Sequence, residues 1–275
     1  MGESLEKIFF FRGSERRRLL GVLYRPPGGQ SRATGIVYCH PFAEEQNMAH
    51  AVAVKACRSF SEQGFPVLRF DMSGSGDSEG TLEDVTVSSW MEDLQAAVKV
   101  LKAEANVDRV ALWGLRLGGG LARLHACDDD SVHSLILWEP VLDLSLHIRQ
   151  FLRRSTVSRI MANDAGGSAP VPTDGQFAKG HTMSVIGYPV APALFDSFCA
   201  VGQQPLRCPT DRPTLVLSIS LFDKPSATMA GMMGVLGSGA AVRCDHIEAE
   251  PFWDRYFRWE CPAPIQHSLQ WLGER

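Results

Sequence analysis

Short apolar runs alternate with longer amphipathic stretches through the first half of the chain, and this alternation constrains the fold more than any other feature. Gly35 to Cys39, Phe65 to Phe70, Arg109 to Trp113 and Ser134 to Trp138 are mostly apolar, as strands buried on both faces must be. Between them lie helical patterns at Met48 to Gln63, with Gly64 as its stop, and at Leu117 to His125. The clearest helix carries Val87, Trp90, Met91, Leu94, Ala97, Val98 and Leu101 as one continuous apolar stripe of helical period. Ser89 and Glu92 have capping-box spacing near its start. Strand, helix and strand at these lengths demand parallel pairing with helical crossovers, hence an α/β fold: a mostly parallel twisted sheet with helices on both faces. Upstream, Ile8 to Arg12 and Leu19 to Tyr24 flank a polar turn and read as an antiparallel pair.

The rhythm breaks between about Asp143 and Thr210. Leu144 to Met161 reads as one or two helices, Ala162 to Pro172 as a loop, and Met183 to Phe198 as a strand-like start with a helix-like end. Strand, helix, strand and helix then resume at Thr214 to Ser220, Pro225 to Leu236, Ala241 to Ile247 and Pro262 to Leu272. We expect one domain over residues 1–275, with a core of 1–142 and 211–275 and a mainly helical lid at about 143–210. A chain of 275 residues, 45% hydrophobic, suffices for one such core.

A formal charge of −4 argues against a general grip on nucleic acid, and Arg16-Arg17-Arg18 reads as a solvated strand end. The seven cysteines form no Cys-x-x-Cys pair, and acidic residues stand where a signal peptide would be cationic. These features suggest a reducing, cytoplasmic setting. The longest weakly polar run, Ala227 to Val242, is too short to span a membrane. No cofactor is called for. Histidines 50, 125, 133, 147, 181, 246 and 267 lack metal-ligand spacing, so no metal site is expected. A homodimer is a candidate assembly.

Ligands of open α/β sheets bind outside the carboxyl ends of the strands. Those stations hold His40-Pro41-Phe42, Asp71 to Ser78 (Asp-x-x-Gly-x-Gly-x-Ser), Gly114 to Gly120, Glu139-Pro140 and Asp223-Lys224-Pro225. In this order they resemble the α/β-hydrolase superfamily. The resemblance implies a nucleophile elbow at Gly114 to Gly118, an acid at Asp223, and oxyanion N–H groups on Phe42 and Leu117. Two departures matter. Arg116 stands where the elbow serine belongs, and a guanidinium cannot attack a carbonyl. The stretch after the last strand, Glu250-Pro251-Phe252-Trp253, has no histidine. Ordinary Ser-His-Asp hydrolysis is not expected from these positions. More narrowly, Trp113 to Gly118, Leu137 to Val141, Gln150 to Arg153, Gly187 to Val190, Asp223 to Ser226 and Pro251 to Trp253 resemble the second hydrolase-type family associated with the exosortase A protein-sorting system of exopolysaccharide-producing bacteria.

Arg116 at a helix N-terminus offers a bidentate grip to an acidic ligand or a polarising charge for an acyl group. The plainer expectation is an internal ion pair with Asp223 or Glu139. Candidate catalytic residues are Arg116, Asp223 and His40; Phe42 and Leu117 form the candidate oxyanion hole; Arg116, Glu139 and Trp253 are candidate binding residues. Cys39, inside a buried strand, and Ser73, Ser75 and Ser78, in a glycine-rich turn, are read as structural. Trp259 and Trp271 are read as core or lid contacts. Two functions stay open: a non-triad enzyme acting on an acyl ester or thioester, and a catalytically inactive hydrolase-like binding or accessory protein of the exosortase system.

Overall fold

The first two strands, β1 (Glu6–Arg12) and β2 (Arg18–Tyr24), pair antiparallel across a tight turn. The chain then alternates: β3 (Thr34–Cys39), α1 (Glu44–Glu62), β4 (Val67–Phe70), α2 (Val87–Ala105), β5 (Arg109–Leu115), α3 (Leu117–Asp128) and β6 (Val132–Trp138). An insertion follows, with α4 (Leu144–Met161), a hairpin of β7 (Met183–Val185) and β8 (Tyr188–Val190), and α5 (Pro192–Gly202). Finally come β9 (Thr214–Ser220), α6 (Ala227–Leu236), β10 (Val242–Glu248) and α7 (Pro262–Gly273). This computed structural model describes residues 5–29, 31–161, 177, 180–202, 212–236, 241–257 and 260–274. The expected loop at Ala162 to Pro172, and Trp259, lie outside them.

Eight strands form one sheet in the order β1-β2-β4-β3-β5-β6-β9-β10. From β4 to β10 all pairings are parallel, as helical crossovers require. Because strand side chains alternate between faces, β5 sends Val110 and Leu112 to one core and Ala111, Trp113 and Leu115 to the other. The first core is covered by α2, α3 and α6, the second by α1 and α7.

Two helix starts differ from their sequence reading. The α2 stripe is as expected, with Val87, Trp90, Leu94, Ala97, Val98 and Leu101 buried. Its capping box, however, lies one turn earlier. Thr86 is the N-cap and accepts from the Ser89 N–H at 3.2 Å, while Ser89 Oγ accepts from the Thr86 N–H at 2.9 Å. Ser89 is therefore the third helical residue, not the cap. Likewise α1 begins at Glu44 instead of Met48, which brings Glu44 and Glu45 into its first turn.

In the insertion, Leu144 to Met161 is a single helix. It packs beneath α5 and seats Phe151 edge-on against Phe42, ring centroids 4.9 Å apart. Among the described residues Cys39, Cys57, Cys199 and Cys244 carry free thiols, and no helix is long and apolar enough to cross a membrane. Arg17 and Arg18 pair with Glu15 and Glu79 at the surface.

Candidate active site

The turn from β5 to α3 is built on close backbone approach. A Cβ on Gly118 would lie 2.0 Å from the Cys39 carbonyl oxygen, and one on Gly114 would lie 2.4 Å from that of Gly118. Only glycines let α3 press against the end of β3 this way. Arg116, between strand and helix, is held at φ 53°, ψ −118°, a left-handed conformation costly for a residue with a side chain. Backbone bonds fix it there: its N–H donates to the Trp138 carbonyl at 3.0 Å, and its own carbonyl accepts from Gly119 and Val141, each at 3.0 Å. The neighbouring strand ends turn in the same left-handed way, at Ala43 (φ 52°) after β3 and at Glu139 (φ 41°) after β6. The backbone N–H groups of Phe42 and Leu117 flank this junction and donate to no described group.

The Arg116 side chain does form an internal ion pair, but with an unexpected partner. Its Nε lies 3.5 Å from Oε2 of Glu45, whose other oxygen lies 3.6 Å from Arg154 on α4. Arg154 in turn stands 3.5 Å from Asp254. The expected partners are otherwise engaged. Asp223 is exposed and joins no ion pair with Arg116; it sits in the solvent-facing turn beyond β9. Glu139 turns its carboxylate away to accept from the Ile219 N–H at 2.7 Å, leaving Arg116 Nη1 a long 3.5 Å contact with its backbone carbonyl. Burial raises the pKa of both Glu45 and Glu139; for Glu45 this outweighs the opposing pull of Arg116 and Arg154. Trp253, in the segment after β10, places its ring 5.6 Å from the Arg116 guanidinium carbon, within cation–π range.

His40 is occupied on both sides. Its Nδ1 bonds the Pro41 carbonyl at 2.7 Å, and its Nε2 accepts from the Met72 N–H at 3.1 Å. This neutral tautomer ties the end of β3 to the loop after β4, and burial lowers the ring's pKa. Neither nitrogen is free to exchange a proton with a ligand. Cys39 is buried and its thiol is pushed up by burial. The Asp71 to Ser78 loop bonds to itself and to β2: Ser78 Oγ donates to the Asp71 carbonyl at 2.6 Å and accepts from the Leu20 N–H at 2.9 Å.

One residue of the site had no role in the sequence reading. His147, on α4, is buried, faces the Phe42 ring edge-on, and has no hydrogen-bond partner for Nε2 among the described residues. Burial, then the charges of Arg116 and Arg154, push its pKa down to about 3. A signal was present: Leu144, His147, Ile148 and Phe151 share the helical stripe that faces inward. Phe42, Glu45, Arg116, His147 and Arg154 surround a small cavity of about 30 Å³. It adjoins a cleft of about 300 Å³ whose walls include Pro140, Val141, Leu142, Leu146 and Met229, with Arg116, Glu139 and His147 also lining it. Among the described residues no cluster of His, Cys, Asp or Glu could hold a metal ion.

Residues 30–172, just over half of the chain and containing the elbow, match the family described as serine aminopeptidase, S33. The chain belongs to the serine aminopeptidase S33 family. Its fold is that of the α/β-hydrolases: the ferulic acid-bound Est1E structure from Butyrivibrio proteoclasticus superposes with a TM-score of 0.65, at 16% identity, over 96% of this chain and 99% of that one. Among curated relatives, an uncharacterized 31.7 kDa protein from the traX-finO intergenic region of Escherichia coli is 28% identical over 119 residues, 42% of this chain and 41% of that protein. The mitochondrial palmitoyl-protein thioesterase ABHD10 of Bos taurus is 31% identical over 93 residues, 34% of this chain and 28% of the relative. The chain thus spans less than half the length of these curated relatives. This S33-family chain is a hydrolase-fold protein related to esterases and thioesterases.

Proposed function

We propose that the protein is an acyl hydrolase without a nucleophilic serine, holding an ester or thioester in the cleft beside Arg116. The observation that carries this reading is that the Phe42 N–H, in the turn after β3, and the Leu117 N–H, at the start of α3 beside Arg116, donate to no group among the described residues. Donors preorganised around one point stabilise the negative charge that develops on a carbonyl oxygen under attack. Because Glu45 already balances Arg116, the site favours a neutral acyl compound over a carboxylate. The apolar walls of the larger cleft suit the acyl chain. The free thiols support a reducing, cytoplasmic setting. The Arg116 elbow and the Pro251-Phe252-Trp253 segment support membership of the exosortase-associated subgroup.

A second reading is a binding or accessory protein that performs no chemistry. It is favoured by Trp253, which stands over Arg116 where a triad would place its base.

Hydrolysis of p-nitrophenyl butyrate and of a butyryl thioester separates the two. The acyl-hydrolase reading expects turnover that resists a serine-directed fluorophosphonate and falls about 10²–10³-fold in kcat/KM in Arg116→Ala, the usual cost of an oxyanion-stabilising group. Turnover no greater than buffer sinks it in favour of the binding protein.

A further inference from the structure

Three residues with buried polar atoms line the small cavity between α1, the elbow and α4. Arg116 Nε and Glu45 Oε2 are buried and face each other as an ion pair at 3.5 Å, His147 Nε2 is buried with no hydrogen-bond partner among the described residues, and all three residues line the same space of about 30 Å³. A buried polar atom left unsatisfied is costly, so the His147 nitrogen, beside a cavity that a buried ion pair also lines, marks a place suited to something polar. The set comprises a donor (the guanidinium N–H), an acceptor (the carboxylate oxygen) and an imidazole nitrogen that serves either way. A cavity of this size takes one water-sized group. Phe42, whose N–H is one of the two unengaged donors, lines the same cavity.

We propose that this cavity seats the attacking water of the hydrolysis, with Glu45 as its catalytic base and His147 as the group that orients the water and relays the proton to the leaving group. This rests on the acyl-hydrolase reading above and supplies the base and nucleophile that the elbow lacks. Glu45 takes one proton from the water as its oxygen bonds to the acyl carbon. The carbonyl electron pair moves onto oxygen, held by the Phe42 and Leu117 N–H groups and Arg116. When the tetrahedral species collapses, the bond from carbon to the leaving oxygen or sulfur breaks. The proton on Glu45 passes through His147 to the departing alkoxide or thiolate. One water enters, an acid and an alcohol or thiol leave, and no covalent bond to the protein forms.

The surroundings fit these roles. Burial makes Glu45 a stronger base than a surface carboxylate. His147, facing Arg116 and Arg154, is kept neutral, so one ring nitrogen can always accept. Asp254, across Arg154, draws part of that arginine's charge away from Glu45.

The test is p-nitrophenyl butyrate hydrolysis by the full chain and by Glu45→Gln, Glu45→Ala and His147→Gln, with circular dichroism confirming each fold. Losing general-base catalysis should lower kcat by about 10²–10⁴-fold with little change in KM. Added formate should restore part of the Glu45→Ala rate, and His147→Gln should lower kcat while leaving the acid limb of the pH profile, which belongs to Glu45, in place. Intact-mass measurement during turnover should find no acyl-enzyme. Should the Glu45 variants fail to fold, the kcat of His147→Gln, whose Nε2 has no hydrogen-bond partner among the described residues, decides the matter. Unchanged kcat in the folded variants, or a trapped acyl-enzyme, overturns the water pocket alone. Absence of turnover by the unaltered protein overturns the acyl-hydrolase reading and the pocket's role with it.

Discussion

A proton placed on His147 would be buried beside Arg116 and Arg154, and this gives the residue a thermodynamic signature apart from any chemistry. Its pKa is about 3 in the folded protein against an ordinary 6.5. Between these values the unfolded chain binds a proton that the native protein does not. Stability from this group is therefore complete above about pH 6.5 and is lost as pH falls toward 3, with a slope of up to about 1.4 kcal/mol per pH unit. His40 and His125 are lowered as well and add in the same direction. Glu45 and Glu139 are raised, so their contribution is present at low pH and fades as pH rises through their folded values. Urea titrations from about pH 4 to pH 7 should find the stability of His147→Phe less dependent on pH than that of the unaltered protein. An equal slope in both would mean that His147 accepts its proton without penalty.

The capping box of α2 shows how a single turn of misreading changes which residue matters. Thr86 and Ser89 satisfy each other's backbone N–H groups, and the next N–H, that of Val87, donates to Ser197 Oγ on α5 at 3.1 Å. Thr86→Ala should cost about 0.5–2 kcal/mol in a urea titration, whereas Glu92→Ala, outside the box, should cost far less. The strands were legible because burial on both faces leaves an apolar run that nothing else in the chain imitates. Helix beginnings were harder. No side chain caps α1, which starts on left-handed Ala43, so the helical pattern reads as beginning at Met48, past Glu44 and Glu45. Glu45, the carboxylate that balances Arg116, was hidden for that reason.

At the scale of the whole molecule, the parallel pairing and the stations at the strand ends followed from the spacing of elements, and Arg116, Phe42, Leu117 and Trp253 do gather at one junction. What spacing could not convey was the choice among carboxylates. Asp223 and Glu139 hold the expected stations, but a turn into solvent takes one and the Ile219 N–H engages the other, while Glu45 reaches Arg116 from a helix read one turn short. His147 arrives from the insertion, where the regular alternation had ended. The sheet also carries its own optical label. Trp113 on β5 and Trp138 on β6 are diagonal neighbours on one face, fully buried, with centroids 4.7 Å apart and planes at 61°, and Trp138 is fixed by donating to Ser268 Oγ at 2.9 Å. Two indoles this close and this oblique couple their electronic transitions. The protein should therefore show an exciton couplet in its far-ultraviolet circular dichroism, absent from Trp113→Phe, that reads the registry of the two central strands without any added probe.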